Sequence, residues 1–209
     1  MSAERRVEVV ERAVVFDGFF KLVRFRLRHS LFGGGMSPVL ERELFDRGHA
    51  SVVLPYDPVR EEVVLVEQFR LGALEPGGDS WLLEPVAGII EPGETAAEVA
   101  RREAREEAGL ELLDLVPVGS YFPSPGGSSE ICMAYLARID SRGAGGLFGL
   151  ADHGEDVKAH VVPLATALAW LEDGRLHVAS TLITLQWLAL HRTELRARWG
   201  LAAAPVDQA

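Results

Sequence analysis

The stretch from Thr95 to Gly109 constrains this chain most. Thr95 with Glu98 three residues on is a capping-box pattern. Gly109 is a natural left-handed stop, so the spacing predicts a helix over 95–108. Glu103, Glu106 and Glu107 crowd one edge of it. At about 100° per residue they share an arc of roughly 100°. Like charges at i,i+3 and i,i+4 cost a helix about 0.2–0.5 kcal/mol per pair.

Two readings of that edge are open. One is a solvated acidic face balanced by Arg101, Arg102 and Arg105. The other is a metal cradle. Glu103 and Glu107 lie one turn apart, and the Gly-rich stretch "AGIIEPGE" can bring backbone carbonyls beside them. A hard cation such as Mg²⁺, which takes oxygen ligands and keeps several waters, turns the repulsion into attraction.

Around this helix the chain reads as β-rich. Residues 7–30 alternate, with Asp17-Gly18 as a hairpin signal. Strands are expected over 49–57 and 61–70, and one strand in "LLEPVAGIIEPGE" runs into a Pro-Gly turn. "LVPVGSYF" and "EICMAYLARID" read as strands around the loop "PSPGGSS". "GLFGLADHGEDVK" reads as a long loop, "AHVVPL" as a short strand, and 165–172 and 180–198 as helices. The class is α+β. Residues 1–48 form an N-terminal antiparallel sheet region, 49–200 the main domain and 201–209 a loose tail. A small sheet with exposed edges calls for a partner to cover it.

The balance of 21 basic against 31 acidic residues gives a formal charge of −10. That argues against nucleic acid and against an anionic membrane surface as partners. Cys132 is the only cysteine, so no internal disulfide is possible. With no apolar leader in "MSAERRVEVVERA", a cytoplasmic setting is expected. "TLITLQWLAL" is too short to span a bilayer and contains Gln186.

Gly88, Glu94 and the run Arg102-Glu103-Ala104-Arg105-Glu106-Glu107-Ala108-Gly109-Leu110 together resemble a complete Nudix box. The resemblance implies a Nudix fold, mixed β-sheets sandwiched between helices. It also implies Mg²⁺-dependent hydrolysis of a nucleoside diphosphate linked to another group. By that likeness Glu103 and Glu107 bind metal with the backbone carbonyl of Ala87, and Arg102 and Glu94 brace the carboxylates.

Pro125 lies 16 residues after Gly109, in "SPGGSSE". This resembles the ADP-ribose pyrophosphatase subfamily. The likeness extends through "GFFKL", "MSPVLERELFDRGHA", "VVLVEQFR", "GLADHGEDVKAHVV" and "STLITLQWLALH". It implies a homodimer in which Phe19 and Phe20 face adenine, an aromatic role suited to base stacking. Arg42, Glu43 and Arg47 would contact the nucleotide, and Arg70 the diphosphate, where guanidinium geometry suits phosphate oxygens. Ile89, Ser124, Gly126 and Glu130 would line the ribose-phosphate side. Glu155 would add a metal ligand, and two or three Mg²⁺ ions, or Mn²⁺, would serve the reaction. The products would be AMP and ribose 5-phosphate.

The chain departs from the subfamily at one point. Two residues before Glu155 the likeness calls for an acidic base, and this chain has His153. Imidazole accepts a proton near neutrality. Three options stay open: His153 as base, a carboxylate such as Glu155 or Glu106, or metal activation of water alone. The alternatives for the whole chain are another nucleoside diphosphate sugar such as GDP-mannose, or a domain that senses a nucleotide without cleaving it. Intact Glu103, Glu106 and Glu107 favour an enzyme.

Overall fold

The computed structural model describes residues 5–75, 78–150 and 154–202. His153 and the last seven residues of the tail lie outside them. The chain divides into two units. The first runs up to His49 and takes in Phe122–Ile131, and the second comprises Ala50–Tyr121 and Cys132–Ala209.

The first unit is built on a three-stranded antiparallel sheet of β1 (Val7–Asp17), β2 (Lys21–His29) and β3 (Leu40–Asp46), in that order. The β1–β2 turn holds Gly18, whose N–H donates to the Phe20 carbonyl at 3.1 Å. A Cβ on Gly18 would come within 2.6 Å of the Phe16 ring. Cross-strand charge pairs, Arg28 with Glu8 and Arg26 with Glu11, tie β1 to β2. Among its described residues only Val23 and Ser37 are buried, and Val7, Val14, Val15, Phe16, Phe19 and Phe32 are exposed. β3 runs through "LERELFD", whose charges hide the strand in the sequence.

The second unit is a mixed sheet between helices. Its strands are β4 (Ala50–Asp57), β5 (Glu62–Phe69), β6 (Trp81–Glu84), β7 (Val86–Ile89), β8 (Asp114–Tyr121), β9 (Cys132–Arg138), β10 (Gly146–Phe148) and β11 (Val157–Pro163). The main path is β10-β11-β5-β4-β9-β8, with β6 on β5 and β7 on β4. β4 and β5 pair directly only at Tyr56–Val63 and Asp57–Glu62. Beyond that they separate: β4 pairs with β7 at Ala50–Val53, and β5 with β6 at Val66–Phe69. Pro85 divides β6 from β7, so the single strand expected there is two. A short helical turn, α1 (Leu71–Leu74), and β10 fall in segments read as loops.

Helix α2 (Ala96–Ala108) packs on one face and α3 (Leu164–Glu172) with α4 (Ala179–Arg198) on the other. Alternation divides the core between them. Val53, Val64 and Ala137 join Ala100, Ala104 and Ala108 of α2. Leu54, Leu65 and Leu136 join Leu164, Leu185 and Leu188. β4 is therefore buried on both faces. Each fully buried Val or Leu contributes about 1.5–3 kcal/mol. Among the described residues no helix is long and apolar enough to cross a membrane.

Candidate active site

Helix α2 is pinned at both ends. The Thr95 hydroxyl accepts from the Glu98 N–H at 3.3 Å, and the Glu98 carboxylate accepts from the Thr95 N–H at 2.8 Å. Gly109 adopts φ 64°, and its N–H bonds back to the carbonyls of Ala104 and Arg105. The Ser51 hydroxyl donates to the Ala96 carbonyl at 2.7 Å, fixing the start of the helix on β4. The small residues Ala100, Ala104 and Ala108 let α2 lie close to the sheet.

That closeness sets the acidic edge against β7. A Cβ on Gly88 would fall 1.8 Å from Glu103 Oε1, so only glycine leaves room for the carboxylate. Glu107 is buried; its Oε2 accepts the Ala87 N–H at 3.1 Å, and its Oε1 accepts from the Gln68 amide at 3.2 Å. Burial pushes Glu107 up to about 7, the charge of Glu103 adds to this, and the bonds from Ala87 and Gln68 and the charge of Arg70 oppose it. Burial likewise raises Glu103, although Arg102 opposes it.

Arg102 serves three carboxylates. It reaches Glu94 at 3.2 Å, Glu103 at 2.8 Å and Glu106 at 3.1 Å. Glu106 is more open to solvent than Glu103, with one third of its side chain exposed. The Glu106 carbonyl accepts the Gly149 N–H at 3.3 Å, which anchors the start of the late loop on α2. Glu155 closes that loop: its carboxylate accepts from the Leu150 N–H, and its own N–H donates to the Leu150 carbonyl, both at 3.2 Å. The charge of Glu155 is felt at both Glu103 and Arg70.

Arg70 donates through Nε and Nη2 to Glu84 at 2.8 and 2.6 Å. Glu84 is buried on β6 and Gln68 lies on β5. Neither was singled out in the sequence; an acidic residue ending the apolar run "WLLE" was the available signal. Ile89 ends β7 opposite Ala50. Among the described residues no three or more His, Cys, Asp or Glu side chains form a metal-binding group.

The other expected residues lie in the first unit. Phe19 is exposed, and Phe20 meets it edge-to-face at 4.6 Å. The Arg47 guanidinium lies 5.2 Å over the Phe20 ring and 3.6 Å from Glu130. Arg42 and Glu43 are neighbours in β3 and so face opposite sides of the sheet. Arg42 donates to the Glu41 carbonyl. Ser124 accepts from the N–H groups of Gly127 and Ser128, forming the turn that holds Gly126.

This fold and acidic helix define the class of domain. Residues 46–182 match the family model described as NUDIX domain. A protein of Escherichia coli (strain K12) named ADP-ribose pyrophosphatase is 49% identical over 193 residues, 92% of each chain. One of Citrobacter koseri named GDP-mannose pyrophosphatase is 33% identical over 150 residues, 71% of this chain and 77% of that one. A crystal structure of an ADP compounds hydrolase superposes with a TM-score of 0.65 at 22% identity, covering 89% of this chain and 96% of that one. The chain belongs to the Nudix hydrolase family.

Proposed function

We propose that this chain is a divalent-metal-dependent pyrophosphatase that cleaves ADP-ribose to AMP and ribose 5-phosphate. The observation that carries this is the pair Glu103 and Glu107, set against β7 by a capped helix, with burial first and the charge of Glu103 second pushing Glu107 up to about 7. The likeness to ADP-ribose pyrophosphatase over 92% of the chain supports the substrate.

The paired carboxylates of Glu103 and Glu107 offer the oxygen donors that a hard cation takes. Burial drives both carboxylates toward holding a proton, helped by the charge of Glu103 at Glu107 and by those of Glu106 and Glu155 at Glu103. Glu103, Glu107, Glu155 and the Ala87 carbonyl would hold Mg²⁺ or Mn²⁺, as two or three ions. When bound, such ions neutralise the diphosphate and lower the pKa of water.

The chain's own groups supply the rest. Arg102 spreads one positive charge over Glu94, Glu103 and Glu106 and orients all three. Glu84 holds the Arg70 guanidinium, which faces charge building on the diphosphate. His153, Glu106 or Glu155 takes the proton from the attacking water. Phe20 and Arg47 recognise the nucleotide, and Glu130 lines the ribose-phosphate side. A second copy covers the N-terminal sheet, where exposed Val and Phe side chains are what a partner would bury.

The reading is tested by stripping the protein with chelator and adding ADP-ribose. No AMP should form until Mg²⁺ or Mn²⁺ is restored, and AMP and ribose 5-phosphate should then appear in equal amounts. Cleavage unaffected by chelation, or products other than these two, would contradict it.

A further inference from the structure

Three consecutive residues, Phe45-Asp46-Arg47, hold the 124–130 loop at successive points within the first unit. The Phe45 N–H donates to the Gly127 carbonyl at 2.7 Å, and the Ser129 N–H donates to the Phe45 carbonyl at 3.3 Å. The loop thereby adds to β3 through one parallel bridge between Phe45 and Ser128. The Ser129 hydroxyl donates to Asp46 Oδ1 at 3.0 Å. Arg47 lies 3.6 Å from Glu130.

Two of the three, Phe45 and Arg47, also fix the aromatic side. The Phe45 ring meets Phe20 edge-to-face at 5.1 Å, and the Arg47 guanidinium lies 5.2 Å over the Phe20 ring. The loop offers little of its own to stay in place. Its internal bonds are two to the Ser124 carbonyl and one from the Glu130 N–H to the Ser128 hydroxyl at 3.2 Å, and open space surrounds the Cβ positions of Gly126 and Gly127. Ordering such a loop on binding costs affinity, and ordering it beforehand removes that cost.

We propose that Asp46 is a positioning residue for nucleotide binding. Through the Ser129 hydroxyl it latches the loop that carries Glu130, and so holds Glu130 in register with Arg47 and the Phe20 ring. Asp46 itself is not placed against substrate. The proposal rests on the ADP-ribose reading, in which Phe20 and Arg47 contact the nucleotide and Glu130 lines the ribose-phosphate side beside them. A latch of this kind acts on KM and leaves kcat alone.

Steady-state kinetics on the full chain test this, with ADP-ribose and GDP-mannose each measured against the parent. Asp46→Ala and Ser129→Ala should each raise KM about 10-fold with kcat within about 2-fold. Since one bond is lost either way, the double variant should be no worse than the single ones. Asp46→Asn keeps an oxygen acceptor and Ser129→Thr keeps a hydroxyl, so both should stay within about 3-fold of the parent KM. A purely structural role would lower the active fraction, and hence kcat, without this split. Calorimetric binding of AMP to each variant should repeat the order seen in KM. Parent-like KM in both alanine variants, a loss confined to kcat, or additive effects in the double variant would overturn the latch. Failure of the substrate reading looks different: the parent itself would ignore ADP-ribose, and the latch would then be read from AMP binding and from whichever nucleotide sugar is cleaved.

Discussion

Gly88 and Glu103 compete for the same space: a Cβ on residue 88 would stand 1.8 Å from Glu103 Oε1. Gly88 pairs with Ser51 of β4, so its backbone has no freedom to retreat. The glycine is needed for the close approach of a helix to a strand.

Gly88→Ala should therefore push the Glu103 carboxylate aside while leaving the fold intact, because the far end of a side chain gives way before a paired strand does. A displacement of about 1 Å at a reacting centre costs roughly 10²-fold in rate. The expected result is a kcat loss of that order with an unchanged far-UV circular dichroism spectrum. An alanine variant with parent kcat would show that Glu103 is not held there for the reaction.

Glu107 and His153 should separate cleanly. Glu107→Gln removes a buried carboxylate held by Ala87 and Gln68 and should leave almost no turnover. His153→Ala should lower kcat by less than about 10²-fold, at the low end of what a general base contributes. If the His153 variant were as inactive as the Glu107 variant, a base role shared with Glu106 or Glu155 would be excluded.

The Arg70–Glu84 pair gives another test. Glu84 is buried and accepts two bonds from Arg70. Glu84→Gln leaves the guanidinium with a weaker anchor and should reduce kcat/KM for ADP-ribose about 10-fold, since a hydrogen bond to a charged group is worth about 1.5–3 kcal/mol. Guanidinium ions at millimolar concentration should not restore it, because Arg70 is still present. Parent-like kcat/KM would mean that Arg70 does not depend on Glu84 for its place.

Stability should carry a pH signature away from the acidic helix. Burial raises the Asp57 carboxyl, but bonds from Ser141, Arg60 and Val59 outweigh it and hold Asp57 below its usual range. A depressed folded value means that the unfolded chain binds the proton first as pH falls. The stabilisation is therefore full above about 4, the ordinary Asp range, and is lost as pH drops through the folded value. Asp57→Asn should lower Tm at pH 7 by about 4–8 °C, corresponding to about 2 kcal/mol. The gap to the parent should narrow below about pH 4. A gap independent of pH would assign the loss to packing instead of charge.

Local signals made α2 legible: Thr95, Glu98 and Gly109 set its ends, and the structure places those ends at Ala96 and Ala108. Strands written as short continuous apolar runs, such as "SVVLP" in β4 and "VVLV" in β5, were equally open to reading. β3 was not, because "LERELFD" carries charges on a sheet whose described residues bury little beyond Val23. What stayed hidden was contact across sequence distance. Arg70 was visible as a cation, but its partner Glu84 lay beyond a Pro-Gly loop. The loop "PSPGGSS" was visible as a loop, and nothing local marks Asp46 as its anchor, 83 residues from Ser129. Gly88 could be seen as part of a turn, yet its reason is a helix side chain set down on it.

The measurement that bears most directly on the account is turnover of ADP-ribose, GDP-mannose, NADH and diadenosine polyphosphates, each at several Mg²⁺ concentrations. The expected result is Mg²⁺-dependent release of AMP from ADP-ribose with the highest kcat/KM of the panel. ADP-ribose among the poorest substrates, with another member cleaved well, would contradict the substrate while leaving the Nudix family assignment untouched.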